Sequence, residues 1–128
     1  MRNYMKNLKL MVLSTTLLCS VFTNISYATD AISCTGTIST LGVHGTDRVM
    51  LKLSSMNEIV QICHLNNTIG STYPITPEQC KVAYSTLLAA YSMQKSINVF
   101  FDNVQTGTSC STFAAWEVAT ARWVHLDN

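Results

Sequence analysis

The sequence predicts a mainly β domain with one helix (α+β), and three observations lead to this fold class. Short runs of alternating apolar and polar residues recur along the chain, as in half-buried strands. One segment alone combines a helix start signal with helical periodicity. Four of the five cysteines follow residue 28 in a chain of only 128 residues, which is typical of a small exported domain held by disulfide bonds.

The first 28 residues have the composition of a secretory signal peptide. Three basic residues lie within the first nine positions, an apolar run covers residues 10–25, and Ser26 and Ala28 occupy the two positions that signal peptidase reads. A membrane anchor is the alternative, but a run of about 16 residues is shorter than the roughly 20 that a spanning helix needs. A lipid on Cys19 is less favoured, because Leu18 before it is not small. We expect residues 29–128 to form the mature domain, without a transmembrane segment.

Removal of the signal changes the charge of the protein. The full chain has a net charge of +1, whereas residues 29–128 contain five basic and seven acidic residues, a net charge of −2. Nucleic-acid binding needs clustered Lys and Arg, so this balance argues against a nucleic-acid partner and against docking on an anionic membrane. The hydrophobic content of 48% argues against a disordered chain.

Three strands are predicted before the helix. Residues Cys34–Val43 are rich in Thr, Ser and Ile and lack a helical period, and Arg48–Leu53 alternates in polarity. The turn residues His44–Asp47 between them predict a hairpin. A third strand is expected at Ile59–Leu65, which is apolar on both faces, and the polar segment after it is expected to be a loop.

The helix has the most complete local signature. Thr76 is a capping residue, Pro77 follows at the first helical position, and Gln79 completes a capping box. The helix is expected to end near Gln94. Five residues recur at the spacing of one buried stripe, namely Cys80, Tyr84, Leu87, Leu88 and Tyr91.

Two further strands are predicted after the helix, at Ser96–Asp102 and at Ala119–Leu126. The resulting order β-β-β-α-β-β, in about 100 residues, is that of the OB-fold, a five-stranded Greek-key barrel with a helix between strands three and four. We therefore expect a five-stranded OB-fold-like barrel, and a single domain, since no repeat or linker divides the chain.

Four cysteines remain in the mature chain, and an even number in a short exported protein predicts two disulfides with three possible connectivities. A zinc site is the alternative, but zinc sites usually contain closely spaced ligand pairs, and the gaps here are 29, 17 and 30 residues. Cys63 and Cys80 flank one loop, whereas Cys34 and Cys110 lie near the two ends of the domain. We therefore favour Cys63–Cys80 together with Cys34–Cys110.

The sequence contains little that indicates catalysis. Its histidines are His44, His64 and His125, and no hydrolase, metalloprotease or P-loop motif accompanies them. Solvated, dispersed histidines are the simplest interpretation, and a small hydrolase or nuclease that uses His44 or His125 is the alternative. We expect a binding protein rather than an enzyme, with no cofactor and no metal.

The aromatic residues fall into two groups. Tyr84, Tyr91, Phe101 and Trp123 lie on periodic faces and are expected in the core. Tyr73 and Trp116 lie in predicted loops, and the amides of Asn66 and Asn67 are close to Tyr73 in sequence. Exposed rings with amide neighbours suit sugar recognition, because a ring stacks on a pyranose while amides pair with hydroxyl groups. These four residues are the candidate ligand-binding residues, although loop aromatics also cap barrels.

Two stretches resemble a known family. The end of the helix and the next strand read Tyr91-Ser92-Met93-Gln94-Lys95-Ser96-Ile97-Asn98-Val99, and the strand before the helix reads Val60-Gln61-Ile62-Cys63. They resemble B subunits of AB5 bacterial toxins of the subtilase-cytotoxin and typhoid-toxin type, and the similarity in architecture covers Ser33–Asp127. The cysteine placement departs from that type. The favoured Cys34–Cys110 bridge is more like the cholera-toxin arrangement.

The resemblance implies a function as well as a fold. Such B subunits are exported lectins that assemble into rings of five, bind host-surface glycans and accompany a toxin A subunit. The resemblance implies these partners here, in a secreted or periplasmic homo-oligomer. The family's sugar-binding residues match no position of this chain, so none is carried over. The alternative is a monomeric secreted or periplasmic module that inhibits or binds another protein.

Overall fold

The computed structural model describes residues 29–126, and the predicted signal peptide lies outside them. Five strands and one helix follow one another along this part of the chain, so the mainly β class with a single helix is confirmed. Their bounds are β1 Thr29–His44, β2 Arg48–Leu53, β3 Val60–His64, α1 Pro77–Ser92, β4 Ser96–Gln105 and β5 Thr120–Leu126.

The strands form one antiparallel sheet in the order β3-β2-β1-β4-β5. The long strand β1 has two partners, because residues 29–37 pair with β4 and residues 38–44 pair with β2. Strands β1 and β4 are longer than expected because their ends pair with each other, Thr29 with Gln105. Gly36 lies where β1 changes partner, and a Cβ there would lie 2.6 Å from Ser54 Oγ, so a larger residue would displace the Ser54 side chain.

The two edges of the sheet approach each other. The Gln61 amide of β3 donates to the Glu117 carbonyl over 2.8 Å, and the Ala119 amide donates to the Gln61 carbonyl over 2.9 Å. The Trp116 amide also donates to the Ile59 carbonyl over 2.9 Å. The segment that precedes β5 therefore runs parallel to β3 for a few residues.

The predicted capping box is present at the start of α1. The Gln79 amide donates to Thr76 Oγ1, and the Thr76 amide donates to Gln79 Oε1. The predicted buried stripe is only partly correct, because Leu88 and Tyr91 are exposed while Ala90 is buried. Apolar residues occur on several faces of this helix, so its pattern alone does not determine which face packs on the sheet.

The core lies between the inner face of the sheet and α1, and Phe101 is fully buried in it. The expectation that Trp123 is also a core residue is wrong, because its side chain is 64% exposed. A register shift between Phe100 and Phe101 pairs Trp123 with the outward-facing Phe100, and Ala121 with Phe101. One such shift moves the following residues of a strand to the other face.

Two disulfides connect the elements with the favoured pairing. Cys34 in β1 bonds to Cys110 in the loop after β4, and Cys63 in β3 bonds to Cys80 in the first turn of α1. Disulfides persist in oxidising compartments, so both bridges fit an extracellular or periplasmic protein. No helix in residues 29–126 is long and apolar enough to cross a membrane.

Candidate functional site

A polar cavity of about 280 Å³ opens on the outer surface where β1, β4 and β5 meet the loop before α1. We call it the Tyr73 pocket, after one of the aromatic residues that the sequence predicts to bind a ligand. Its lining residues are Asp30, Ala31, Thr72, Tyr73, Asp102, Asn103 and Arg122.

The loop that carries Tyr73 is closed at its base. Ile69 and Ile75 exchange backbone hydrogen bonds of 3.2 and 2.8 Å, and the Ile75 side chain is buried. Gly70 has a φ of +98°, and a Cβ there would lie 2.9 Å from the Tyr73 carbonyl oxygen. Glycine therefore lets the loop turn tightly enough to present Tyr73, which is 48% exposed.

Asn103 attaches this loop to the sheet. Its Oδ1 accepts from the Ser71 amide over 3.1 Å, from Ser71 Oγ over 2.9 Å and from the Thr72 amide over 3.3 Å. Its Nδ2 donates to Thr120 Oγ1 over 2.6 Å. Asn103 has a φ of +59°, a conformation that asparagine tolerates better than most residues. The side chain thereby connects β4, β5 and the loop that presents Tyr73.

Arg122 lies over two aromatic rings. Its Cζ is 4.1 Å from the centroid of the Tyr73 ring and 4.7 Å from that of Phe100. Attraction between a guanidinium group and a ring face holds the side chain in place. The ring of Tyr73 is positioned in turn, so the pocket has an ordered aromatic wall.

Asp102 is a buried acid beside Arg122, with 3% of its surface exposed. Its Oδ2 lies 3.2 Å from Arg122 Nε, a distance typical of an ion pair, but no well-aligned hydrogen bond reaches this oxygen. Burial raises the pKa of Asp102, and the charge of Arg122 opposes that rise. The pocket therefore contains a carboxylate with incomplete hydrogen bonding.

The other predicted ligand-binding residues lie around the turn between β1 and β2. Trp116 is 55% exposed, and its ring meets that of His44 edge-on at 5.6 Å. Asn66 Nδ2 donates to Asp47 Oδ2 over 2.6 Å, while Asn67 contacts His64 Nδ1 at 3.5 Å. Tyr73 is the only one of the four candidates that lines the Tyr73 pocket.

The histidines do not converge on one centre. His44 contacts Thr46 and Trp116, His64 contacts Asn67, and His125 lies against the Trp123 ring at 5.5 Å. The Asp47 carboxylate binds Asn66. Within residues 29–126, no group of three or more His, Cys, Asp or Glu side chains is placed to hold a metal ion.

Of the seven residues that line the pocket, sequence reasoning predicted only Tyr73 and missed Asp30, Ala31, Thr72, Asp102, Asn103 and Arg122. The polar pair Asp102-Asn103 interrupts the apolar alternation of β4, and this was a usable signal, because a charged residue within a core strand needs a partner. Arg122 had no comparable signal, since its position depends on the register of β5.

A second, mostly apolar groove of about 370 Å³ separates α1 from β5 and shares Arg122 with the Tyr73 pocket. Val82 and Trp123 border it and are 69% and 64% exposed.

Comparisons of the chain with protein-family models, with curated proteins and with solved structures find no match. The function must therefore be inferred from the residues of this chain.

Proposed function

We propose that this chain is an exported, non-enzymatic binding module that recognises cell-surface glycans through the Tyr73 pocket. One observation carries the proposal: an exposed, positioned aromatic ring borders a cavity whose other walls supply carboxylate, guanidinium and hydroxyl groups. Sugars present apolar C–H faces and many hydroxyl groups. A ring wall beside hydrogen-bonding groups matches both features.

We further propose that the sheet closes into an OB-type barrel. The parallel hydrogen bonds between Gln61 and the segment before β5 support closure, because they join the edge strand β3 to the residues that lead into the other edge strand, β5. OB-type barrels bind oligosaccharides and oligonucleotides, and the net charge of −2 for residues 29–128 favours the sugar.

The resemblance to AB5 B subunits extends the proposal to a ring of five copies, with host glycans and a toxin A subunit as partners. A closed ring buries two different surfaces of each copy. Exposed apolar side chains such as Met93, which is 52% exposed, are suited to such an interface. Five weak pockets on one ring would gain avidity without any change in the single site.

A glycan array probed with the oxidised mature chain tests the proposal. We expect binding to a subset of glycans, and we expect Tyr73→Ala to reduce it by roughly tenfold to a hundredfold, since stacking of a sugar on an aromatic ring is lost. Trp116→Ala is the matched control, because it removes a similarly exposed aromatic ring that does not line the pocket. A folded, oxidised chain that binds no glycan would contradict the proposal.

A second candidate is a monomeric inhibitor or protein-interaction module, and the groove between α1 and β5 favours it. An apolar groove bordered by exposed Val82 and Trp123 suits an apolar side chain of a protein partner. Native mass spectrometry separates the candidates. A mass of five mature chains supports the ring, and the mass of one chain supports the monomeric module.

A further inference from the structure

The charges of the Tyr73 pocket indicate which sugars it accepts. Asp30 and Asp102 line the pocket together with Arg122, so its side chains include two carboxyl groups and one guanidinium group. With both carboxyl groups ionised, the side chains that line the pocket carry a net charge of −1. The overall charge of residues 29–128 is also negative, so the rest of the domain does not reverse this local sign.

The positive charge of Arg122 is already engaged within the protein. Its Nε lies 3.2 Å from Asp102 Oδ2, and its guanidinium group packs over the rings of Tyr73 and Phe100. Asp102 is buried, so it cannot replace this counter-charge with water without a large cost. A ligand carboxylate would have to compete with Asp102 for Arg122 while Asp30 repels it.

The same residues suit a neutral sugar. Asp30 is exposed, and its carboxylate has lone pairs beyond the one that accepts from the Gly107 amide over 3.3 Å. It can accept hydrogen bonds from two adjacent hydroxyl groups of a pyranose, whose C–H face then packs on the face of the Tyr73 ring that Arg122 leaves uncovered. A cavity of about 280 Å³ is just below the range of drug-sized pockets, about 300–1,000 Å³, and so has room for a single ring.

We propose that the Tyr73 pocket binds a neutral pyranose through two adjacent hydroxyl groups and discriminates against sugars that carry a carboxylate. This inference rests on the proposed glycan-binding function and adds the ligand class and the residue that selects it. Asp30 is the selecting residue, because it combines exposure with a carboxylate that lies outside the ion pair between Asp102 and Arg122.

The test compares sugars that differ in one group only. Multivalent conjugates of galactose, glucose and mannose are each matched with the corresponding uronic acid and with its uncharged methyl ester, and binding to the oxidised mature chain is measured. We expect the uronic acid to bind about tenfold or more weakly than the neutral sugar, and we expect the methyl ester to recover most of the loss. Asp30→Asn should reduce the difference in affinity between the neutral sugar and its uronic acid. Glu58→Gln, which removes an acid outside the pocket, should leave that difference unchanged.

The outcomes separate this inference from the function on which it rests. If a uronic acid binds as tightly as its neutral counterpart, or more tightly, the selectivity is wrong while glycan binding stands. If Tyr73→Ala leaves the binding of every conjugate unchanged, the pocket is the wrong site. If a folded chain binds none of the conjugates and no glycan of a wider array, the proposed function itself fails.

Discussion

Asp102 lines the Tyr73 pocket, and the burial of its carboxyl group makes the stability of the fold depend on pH. Its pKa is higher in the folded chain than the ordinary value of 3.8 because of burial, although Arg122 opposes the shift. The folded state therefore binds this proton more tightly than the unfolded state does. The contribution of Asp102 to the free energy of unfolding is greatest below pH 3.8, and it decreases as the pH rises through the folded-state pKa.

Replacement of this carboxyl group by an amide removes that titration. We expect the melting temperature of Asp102→Asn, relative to the wild type, to increase as the pH is raised from about 3 to about 7. Thermal melts across this range provide the measurement. Arg122→Gln is the companion variant, since loss of the opposing charge should move the titration of Asp102 to higher pH. A pH-independent difference between Asp102→Asn and the wild type would rule out this account.

Asn103 acts on the pocket through the loop that carries Tyr73. Asn103→Gly keeps a residue that tolerates positive φ but removes the four hydrogen bonds of the side chain. We expect it to lower the free energy of unfolding by about 1–3 kcal/mol, in the range of a lost hydrogen-bonded polar group, and to weaken glycan binding. Asn103→Ala should cost more, because it adds backbone strain. Chemical denaturation and glycan binding are measured on both, and equal stability of the two variants would show that φ at this position is unimportant.

At the scale of elements, the start of α1 depends on a reciprocal pair of hydrogen bonds. Thr76→Ala removes the side-chain acceptor for the Gln79 amide and should lower the free energy of unfolding by about 1 kcal/mol. Thr76→Ser keeps the hydroxyl group and is the control. Urea denaturation of both variants provides the measurement, and equal losses in the two would show that the hydroxyl group is not responsible.

Helix α1 and strand β5 show which structural features a local sequence pattern can predict and which it cannot. The cap of α1 was predictable because its signals lie within four residues and act on each other directly. The buried face of the helix was not, because apolar side chains surround it and only contact with the sheet selects Ala90 over Leu88. The outward position of Trp123 likewise depends on pairing between β4 and β5, which are separated by a long loop.

For the whole molecule, the two disulfides differ in the length of chain that they close. The Cys34–Cys110 bridge spans 76 residues, whereas Cys63–Cys80 spans 17. In the chain-entropy account, closing these loops contributes about 4.5 and about 3 kcal/mol to the free energy of unfolding. The longer bridge should therefore matter more to the stability of the domain.

Paired replacement by serine tests this order. Cys34→Ser with Cys110→Ser should lower the free energy of unfolding more than Cys63→Ser with Cys80→Ser, by about 1 kcal/mol or more. Guanidinium denaturation of both double variants, with the fully oxidised wild type as reference, provides the measurement. The reverse order would show that local packing around the shorter bridge, rather than loop length, dominates.

The sequence by itself determined the mainly β class, the single helix and its cap, and the cysteine pairing favoured by spacing. These features depend on neighbours in the chain or on the number and separation of a few cysteines. Only the tertiary structure decided the composition of the Tyr73 pocket, because Asp30, Tyr73, Asp102 and Arg122 come from four separate segments. Strand register and the attachment of one loop by Asn103 bring them together, and both depend on contacts between residues far apart in the chain.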